Sequence, residues 1–342
     1  MIRIILVISY VKTIWFVYIF ANMTNRLSER VSSISDFKTI NSIDKGTFGT
    51  VYKVVHNKTK KIYALKRLEP LSEQKDFMRE ITLMNTNCHM TLTPVIHFNF
   101  ESPTSNAFFT MPYYEEGSLE RKIIETEDDN TFFNGTNRTI AAFGIAYGMK
   151  LLHDKKIIHR DLKTSNVLLD DNLEPVISDF GFSKVYKDAV EMSRFCGSPK
   201  FVAPECFTIT DDNFLTSSID VFSYSVVLHR LFNGKFIFSI RDSNLSPDYI
   251  NERIQNGDRY YISSRVPEDW KEMIVQCWNQ NPNDRPSFTR IVEWMENGDH
   301  LFPGADKDTF LEYVERVKNY SEKKDAEDDS SPPDTVDFDF SV

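Results

Sequence analysis

The sequence is poor in cysteine. Its four cysteines (Cys88, Cys196, Cys206 and Cys277) stand far apart, with no CxxC pair among them. That excludes a zinc-finger-type site and a disulfide framework, and leaves free thiols of a reducing compartment as the plain reading. Positive charge is also short: 40 Lys and Arg against 50 Asp and Glu give a net charge of −10, which excludes a general nucleic-acid binder. No internal repeat of solenoid length occurs, so a stacked-repeat architecture is excluded as well. What is present is ordinary for a globular chain: 342 residues, 41% hydrophobic and 26% charged, enough for one large domain or two modest ones.

The two ends differ from the middle. Near the start, "IILVISYVKTIWFVYIFA" (Ile4 to Ala21) is apolar except for Lys12. It is about long enough to span a bilayer, Lys12 would cost about 2.5–3.5 kcal/mol on insertion, and no small-residue cleavage site follows. Two readings stand side by side. In one, the run is a membrane anchor, and Arg26 and Arg30 against Arg3 leave the following domain on the cytosolic side. In the other, the run precedes a true start at Met23. At the far end, Ser321 to Val342 carries eight acidic residues against two lysines and includes "DDSSPPD", the composition of a disordered acidic tail.

Between the ends the patterning changes once. From Phe37 to about Phe109 the segments are strand-like ("FKTINSID", "GTVYKVVHN", "KIYALKRL", "NAFFTMPYY"), interrupted by one helical stretch near Glu73–Asn85 with Phe77, Ile81 and Met84 on one face. After "EEGSL" helical spacing dominates, over Thr136–His153, Thr216–Phe232, Asp269–Asn279 and Phe288–Glu296. "DKDTFLEYVERVKNY" adds a short amphipathic helix with Phe310, Tyr313 and Val317 along one side, which could cap the helical part or dock a partner, capping being the plainer expectation. A strand-rich first part and a helix-rich second part predict an α+β chain with two lobes.

Two stretches carry chemistry. "SIDKGTFGTVYKV" places Gly46 and Gly49 where side chains would obstruct backbone N–H groups approaching a phosphate, but Asp44 stands where a first glycine is expected. "IIHRDLKTSNVLLDDNLEPVISDFGFSK" gathers Asp161, Lys163, Asn166 and Asp179 between short apolar runs. A carboxylate and an amide oxygen suit a hard magnesium ion, a lysine can neutralise phosphate charge, and a second carboxylate can orient a hydroxyl. Taken singly, each has a duller role: Asp179 as a turn residue, Lys66 as a solvated strand lysine, Glu80 as a helix-surface acid. Their joint occurrence overturns these.

"HRDLKTSN" followed by "DFG", in order with "YALK", "APE", "DVFSYSVVLHRL" and "CWNQNPNDRPSF", resembles the eukaryotic protein kinases over Phe37 to Glu296. The resemblance implies a bilobal protein-kinase-like α+β fold, with a small antiparallel β-sheet lobe carrying one helix and a larger, mainly helical lobe. It also implies the cofactors ATP and Mg2+ and a protein substrate with a serine or threonine acceptor. By position, Lys66 would hold the α- and β-phosphates with Glu80 as its ion-pair partner. Asp161 would orient the acceptor hydroxyl and take its proton, Lys163 would meet the transferred phosphate, and Asn166 and Asp179 would hold magnesium. Ile43, Gly46, Thr47, Phe48 and Gly49 would cover the nucleotide. Val51, Ala64 and Leu168 would enclose the adenine, Tyr113 and Tyr114 would form the hinge, and Met111 would be the gatekeeper. Glu205 and Arg285 resemble a buried bracing pair, Asp220 the carboxylate that ties the catalytic loop to its helix, and His159 a structural neighbour of Phe180.

The implied layout is residues 1–36 as apolar segment and linker and 37–297 as kinase domain, with an N-lobe of about 37–111 and a C-lobe of about 115–297. A helical extension over 298–320 and an acidic tail over 321–342 follow. Lys163, Ser198 (in "GSPKFVAPE") and Phe182 after "DFG" favour serine or threonine over tyrosine, with serine preferred. "CWNQNPNDRPSF" is shared with tyrosine kinases, and the combination is most like the tyrosine-kinase-like group. Ser165 gives no sign of a basic residue upstream of the acceptor. Ser193, with Tyr186 behind it, is the expected phosphosite facing Arg160. Asp44 is expected to weaken nucleotide affinity without abolishing it. The alternative from another class is a pseudokinase scaffold, for which Asp44 is the sequence support.

Overall fold

The computed structural model describes residues 30–46, 49–68, 74–100, 106–126, 133–185, 197–207, 215–236, 238 and 246–327. They fall into two compact units: one of the described residues up to Thr86 together with Pro94–Tyr113, the other of Asn87–Thr93 and the chain from Tyr114 onward.

The first unit is a five-stranded antiparallel sheet in the order β1-β2-β3-β5-β4, built from β1 (Phe37–Gly46), β2 (Gly49–His56), β3 (Ile62–Leu68), β4 (His97–Asn99) and β5 (Phe108–Pro112). Phe37, Val54, Leu65 and Phe108 pack on one side with Tyr52 and Tyr63 against them. The edge strand β1 is exposed from Lys38 to Gly46. Helix α1 (Gln74–Thr86) buries Phe77, Ile81 and Met84 at helical spacing, and the Phe77 ring lies 6.3 Å from that of Phe109 on β5.

The second unit is mainly helical. It contains α2 (Leu119–Glu125), α3 (Gly135–Asp154), α4 (Ser218–Asn233), α5 (Pro247–Gln255), α6 (Glu268–Cys277), α7 (Phe288–Met295) and α8 (Lys307–Glu327). Two short antiparallel pairs accompany them, β6 (Ile157–Ile158) with β9 (Lys184–Val185) and β7 (Val167–Leu169) with β8 (Pro175–Ile177). Helices α3 and α4 bury residues on nearly every face, as central helices of a core do. Local chemistry sets the helix starts: Asn134 and Asn137 form a reciprocal cap for α3, and Ser118, Ser246 and Ser287 cap α2, α5 and α7.

The sheet unit and the helical unit match the expected division into a small antiparallel lobe with one helix and a larger helical one. Helix α2 spans only two turns and α5 buries only Ile250 and Ile254, so neither leaves a sustained apolar period in the sequence. Helix α8 runs on to Glu327, into the segment whose acidic composition suggested disorder. No helix among the described residues is long and apolar enough to cross a membrane, and Ile4–Ala21 lies outside them.

Candidate functional site

In the sheet unit, Lys66 and Val51 are cross-strand partners, as are Ala64 and Met111, so these four side chains share one face of the sheet. Ala64 is buried, whereas Val51, Met111 and Tyr113 are half-buried. The Lys53 ammonium lies 3.9 Å from the centre of the Tyr113 ring. Glu80 is three residues from Phe77 on the buried face of α1, which carries its carboxylate inward. There it meets the Lys66 ammonium at 2.7 Å, with both side chains less than a tenth exposed. A buried pair of this kind is sensitive to loss of either partner.

The glycine turn separates into two cases. A Cβ on Gly49 would lie 2.1 Å from the Arg67 carbonyl oxygen, so the close approach of β3 alone requires glycine there. A Cβ on Gly46 would meet nothing closer than 3.9 Å, so the space beside it is open. Asp44 is exposed, and its carboxylate accepts the Lys45 N–H at 2.8 Å. Ile43 is exposed on β1. Thr47 and Phe48 lie outside the described residues, as do Ser193 and Tyr186.

The helical unit brings Asp161, Lys163, Asn166 and Ser198 together. The Lys163 ammonium lies 2.7 Å from one Asp161 oxygen and 2.8 Å from the Ser198 hydroxyl, which donates to the other Asp161 oxygen at 3.1 Å. The Asn166 amide nitrogen donates to the Asp161 carbonyl at 2.8 Å and to its carboxylate at 3.0 Å. Asp161 is buried and Lys163 is partly open. Val202, Cys206 and Ser223 line a small pocket beside Asp161 and Ser198.

Behind this cluster Asp220, wholly buried in the first turn of α4, accepts the backbone N–H groups of His159 at 2.8 Å and Arg160 at 2.9 Å. Its carboxylate also meets the His153 imidazole at 2.9 Å. Burial pushes its pKa up, but His153 and these backbone bonds outweigh burial and hold it below the ordinary carboxylate value. His159 donates from Nε2 to the Ser178 carbonyl, accepts the Asp161 N–H at Nδ1, and packs 5.4 Å from the Phe180 ring. Arg160 (φ 70°) and Asp179 (φ 62°) both adopt the left-handed conformation that branched, bulky chains avoid. Glu205 and Arg285 pair through two bonds of 2.5 and 2.8 Å, with Arg285 also donating to the carbonyls of Asn279 and Ser218.

Because both protons of the Asn166 amide are directed to Asp161, its oxygen remains for a cation. Asp179 is half-buried two residues beyond β8, and an amide oxygen and a carboxylate are the kinds of hard donor that could hold magnesium. No trio of His, Cys, Asp or Glu groups elsewhere among the described residues offers a protein-only metal cage. Leu168 pairs with Val176 in the β7–β8 hairpin and is half-buried, and Tyr114 is held in the same unit.

Two contacts were not foreseen from the sequence. His153 braces Asp220 across 67 positions. Glu120 accepts from Thr164, in the loop that carries Asp161, and from the buried Arg230. Nothing local in the sequence signals either.

A family model described as "Protein kinase domain" matches residues 37–295. The chain is 32% identical over 269 residues to the RGS domain-containing serine/threonine-protein kinase A of Dictyostelium discoideum, covering 78% of this chain and 23% of that protein. It is 30% identical over 315 residues to a probable LRR receptor-like serine/threonine-protein kinase of Arabidopsis thaliana, covering 86% and 50%. It is 30% identical over 277 residues to the dual specificity testis-specific protein kinase 2 of Rattus norvegicus, covering 78% and 45%. The chain therefore spans half or less of the length of these relatives.

Proposed function

We propose that this chain, which belongs to the protein kinase family, transfers the γ-phosphoryl group of ATP to a serine or threonine hydroxyl of a protein, with serine preferred. Its resemblance to serine/threonine kinases, including receptor-like ones of the tyrosine-kinase-like type, sets the class. The observation that carries the activity is the triangle of Asp161, Lys163 and Ser198, three groups within 3.1 Å of one another.

In this reading Asp161 holds the acceptor hydroxyl and takes its proton as the oxygen–phosphorus bond forms. The bond from the γ-phosphorus to the β–γ bridging oxygen breaks, and ADP leaves. Lys163 would sit against the oxygens of the group in flight, and Ser198 fixes both partners. Lys66, aligned by Glu80, would hold the α- and β-phosphates. Ile43, Val51, Ala64, Met111, Tyr113, Tyr114 and Leu168 would contact the base and ribose, and Gly46 leaves room for phosphate. Magnesium bound by Asn166 and Asp179 would screen the charge on the phosphate oxygens.

Serine preference rests on Phe182 following the Asp179–Gly181 turn. A peptide library presenting serine, threonine and tyrosine acceptors, with ATP and magnesium, tests the proposal. Labelling of serine above threonine, with tyrosine silent, is expected; tyrosine labelling would contradict the acceptor class. The competing pseudokinase reading rests on Asp44, which is exposed and bonded to its neighbour's backbone. A folded chain that labels no acceptor would favour it. If Ile4–Ala21 anchors the chain, cells expressing it from Met1 carry it in the membrane fraction, and cells expressing it from Met23 do not.

A further inference from the structure

Helix α8 lies beyond the residues matched by the kinase family model, which end at 295, yet it is built into the helical unit. Phe310, Tyr313, Val314 and Val317, at i, i+3, i+4 and i+7, are each 5% exposed or less. Phe310 and Tyr313 meet Phe143 of α3 edge-on at 5.5 and 6.3 Å. Helix α3 makes room with Gly144, where a Cβ would come 2.2 Å from the Tyr313 hydroxyl and 2.5 Å from Pro175. Arg316 pairs with the buried Glu174, which immediately precedes β8.

A polar chain runs from the same helix. His89 belongs to the short segment Asn87–Thr93 of this unit, and its Nε2 lies 3.0 Å from the Val317 carbonyl oxygen, 228 positions away. Its Nδ1 lies 3.2 Å from the Thr91 amide nitrogen and 2.8 Å from the Thr91 hydroxyl. An amide N–H can only donate, so Nδ1 is the bare nitrogen and Nε2 gives its proton to Val317. Burial lowers the His89 pKa to about 4, which keeps the ring in this neutral form. Tyr147 stacks on the ring at 5.4 Å and Tyr320 meets it edge-on at 5.0 Å.

From Thr91 the chain continues into β8. The Thr91 carbonyl accepts the Ile177 N–H at 2.8 Å, and the Ile177 carbonyl accepts the Thr93 N–H at 2.9 Å. Gly148 of α3 lies against both: a Cβ there would be 2.8 Å from Ile177 and 2.9 Å from the Thr91 hydroxyl. Ile177 ends β8, and Asp179 follows two residues later in its left-handed conformation.

We propose that α8 is a working part of the kinase unit and that His89 is a positioning residue, tying α8 through Thr91 to the strand that leads into Asp179. The importance of Asp179 rests on the proposed function; the mechanical link does not. Loss of the His89 bonds frees the Thr91–Thr93 edge from α8, and with it the strand whose end aims a magnesium ligand.

The test compares the full chain with its His89→Ala, His89→Gln and Thr91→Val variants. Amide hydrogen exchange is read at Thr93 and Ile177, and activity is titrated with magnesium. For His89→Ala, exchange at these two amides rises about tenfold while amides of α4 and α7 keep their wild-type rates. The magnesium concentration for half-maximal activity rises several-fold, with kcat at saturating magnesium nearly unchanged. Thr91→Val, which keeps the shape and removes one hydroxyl, shifts both readouts less and in the same direction, and stands as the test if His89→Ala does not fold. His89→Gln, which retains a side-chain N–H, recovers part of the loss. Unchanged exchange and magnesium dependence in folded variants overturns the proposal, as does faster exchange spread evenly over the helical unit. If the wild-type chain transfers no phosphate, the proposed function falls, and the exchange readout alone decides the link.

Discussion

In the sheet unit, Lys66 on β3 is paired with Glu80, in a sheet whose edge strand β1 is exposed from Lys38 to Gly46. In the helical unit, Asp161 is gripped by Lys163, Ser198 and Asn166, and the loop carrying it is bonded to a wholly buried Asp220. Under the proposed function, the contrast follows from what each group would do. Lys66 would meet phosphate oxygens of full opposite charge, for which a buried, ion-paired ammonium suffices. A carboxylate that must aim one hydroxyl needs placement to about half an ångström, which a buried, fully bonded network supplies.

The sharpest way to break this contrast is Asp220→Ala. It strands His153 and two backbone N–H groups in the interior, and should cost on the order of 3–5 kcal/mol of stability in denaturant unfolding of the full chain. A variant with a wild-type midpoint would show that the loop carrying Asp161 is not held from behind. Next in size is Lys66→Met, expected to lower kcat/KM about 100- to 1000-fold while leaving unfolding of the helical unit unchanged. Steady-state kinetics with varied ATP checks it, and a smaller loss for Glu80→Gln would match an aligning role for Glu80.

Acid should act on the helical unit in particular. His89 and His229 are both lowered to about 4 by burial, so each is neutral when folded and binds a proton more readily when unfolded. Their contribution is whole above about pH 6.5 and is lost as pH falls toward 4, on the order of 2 kcal/mol per histidine by pH 5. The lowered Asp220 pKa adds to the loss at still lower pH. Urea midpoints measured from pH 8 to pH 5 check the sign, and a stability that rises on acidification would refute it. The smallest effects separate the two glycines of the turn. Gly49→Ala drives a Cβ into the Arg67 carbonyl and should cost about 1–3 kcal/mol of stability. Gly46→Ala should cost under about 0.5 kcal/mol and show itself in KM for ATP instead.

The sequence made the same contrast partly legible. Asp161, Lys163 and Asn166 could be read together because one short loop carries them, and their local spacing is their chemistry. Lys66 and Glu80 required the order of segments, since a strand and a helix each contribute one partner. The His153 bond to Asp220 and the His89 bond to Val317 left no trace in the sequence, because packing alone brings positions so far apart into register. Gly49 illustrates a different gap: its place in the glycine turn suggests room for phosphate, whereas the β3 backbone alone already demands glycine there. The face of α8 was visible in the spacing of Phe310, Tyr313 and Val317. What it packs against, Phe143 and the space left by Gly144, was not, because neither has any periodic relation to it.

The central claim is tested most directly by incubating the full chain and its Asp161→Asn variant with γ-labelled ATP, magnesium and serine-containing peptide. The account predicts label on serine with the wild-type chain, and a rate lower by about 10²–10⁴-fold with a variant that still folds and binds nucleotide. Equal labelling by both proteins, or a folded wild-type chain that binds nucleotide and labels nothing, would contradict it.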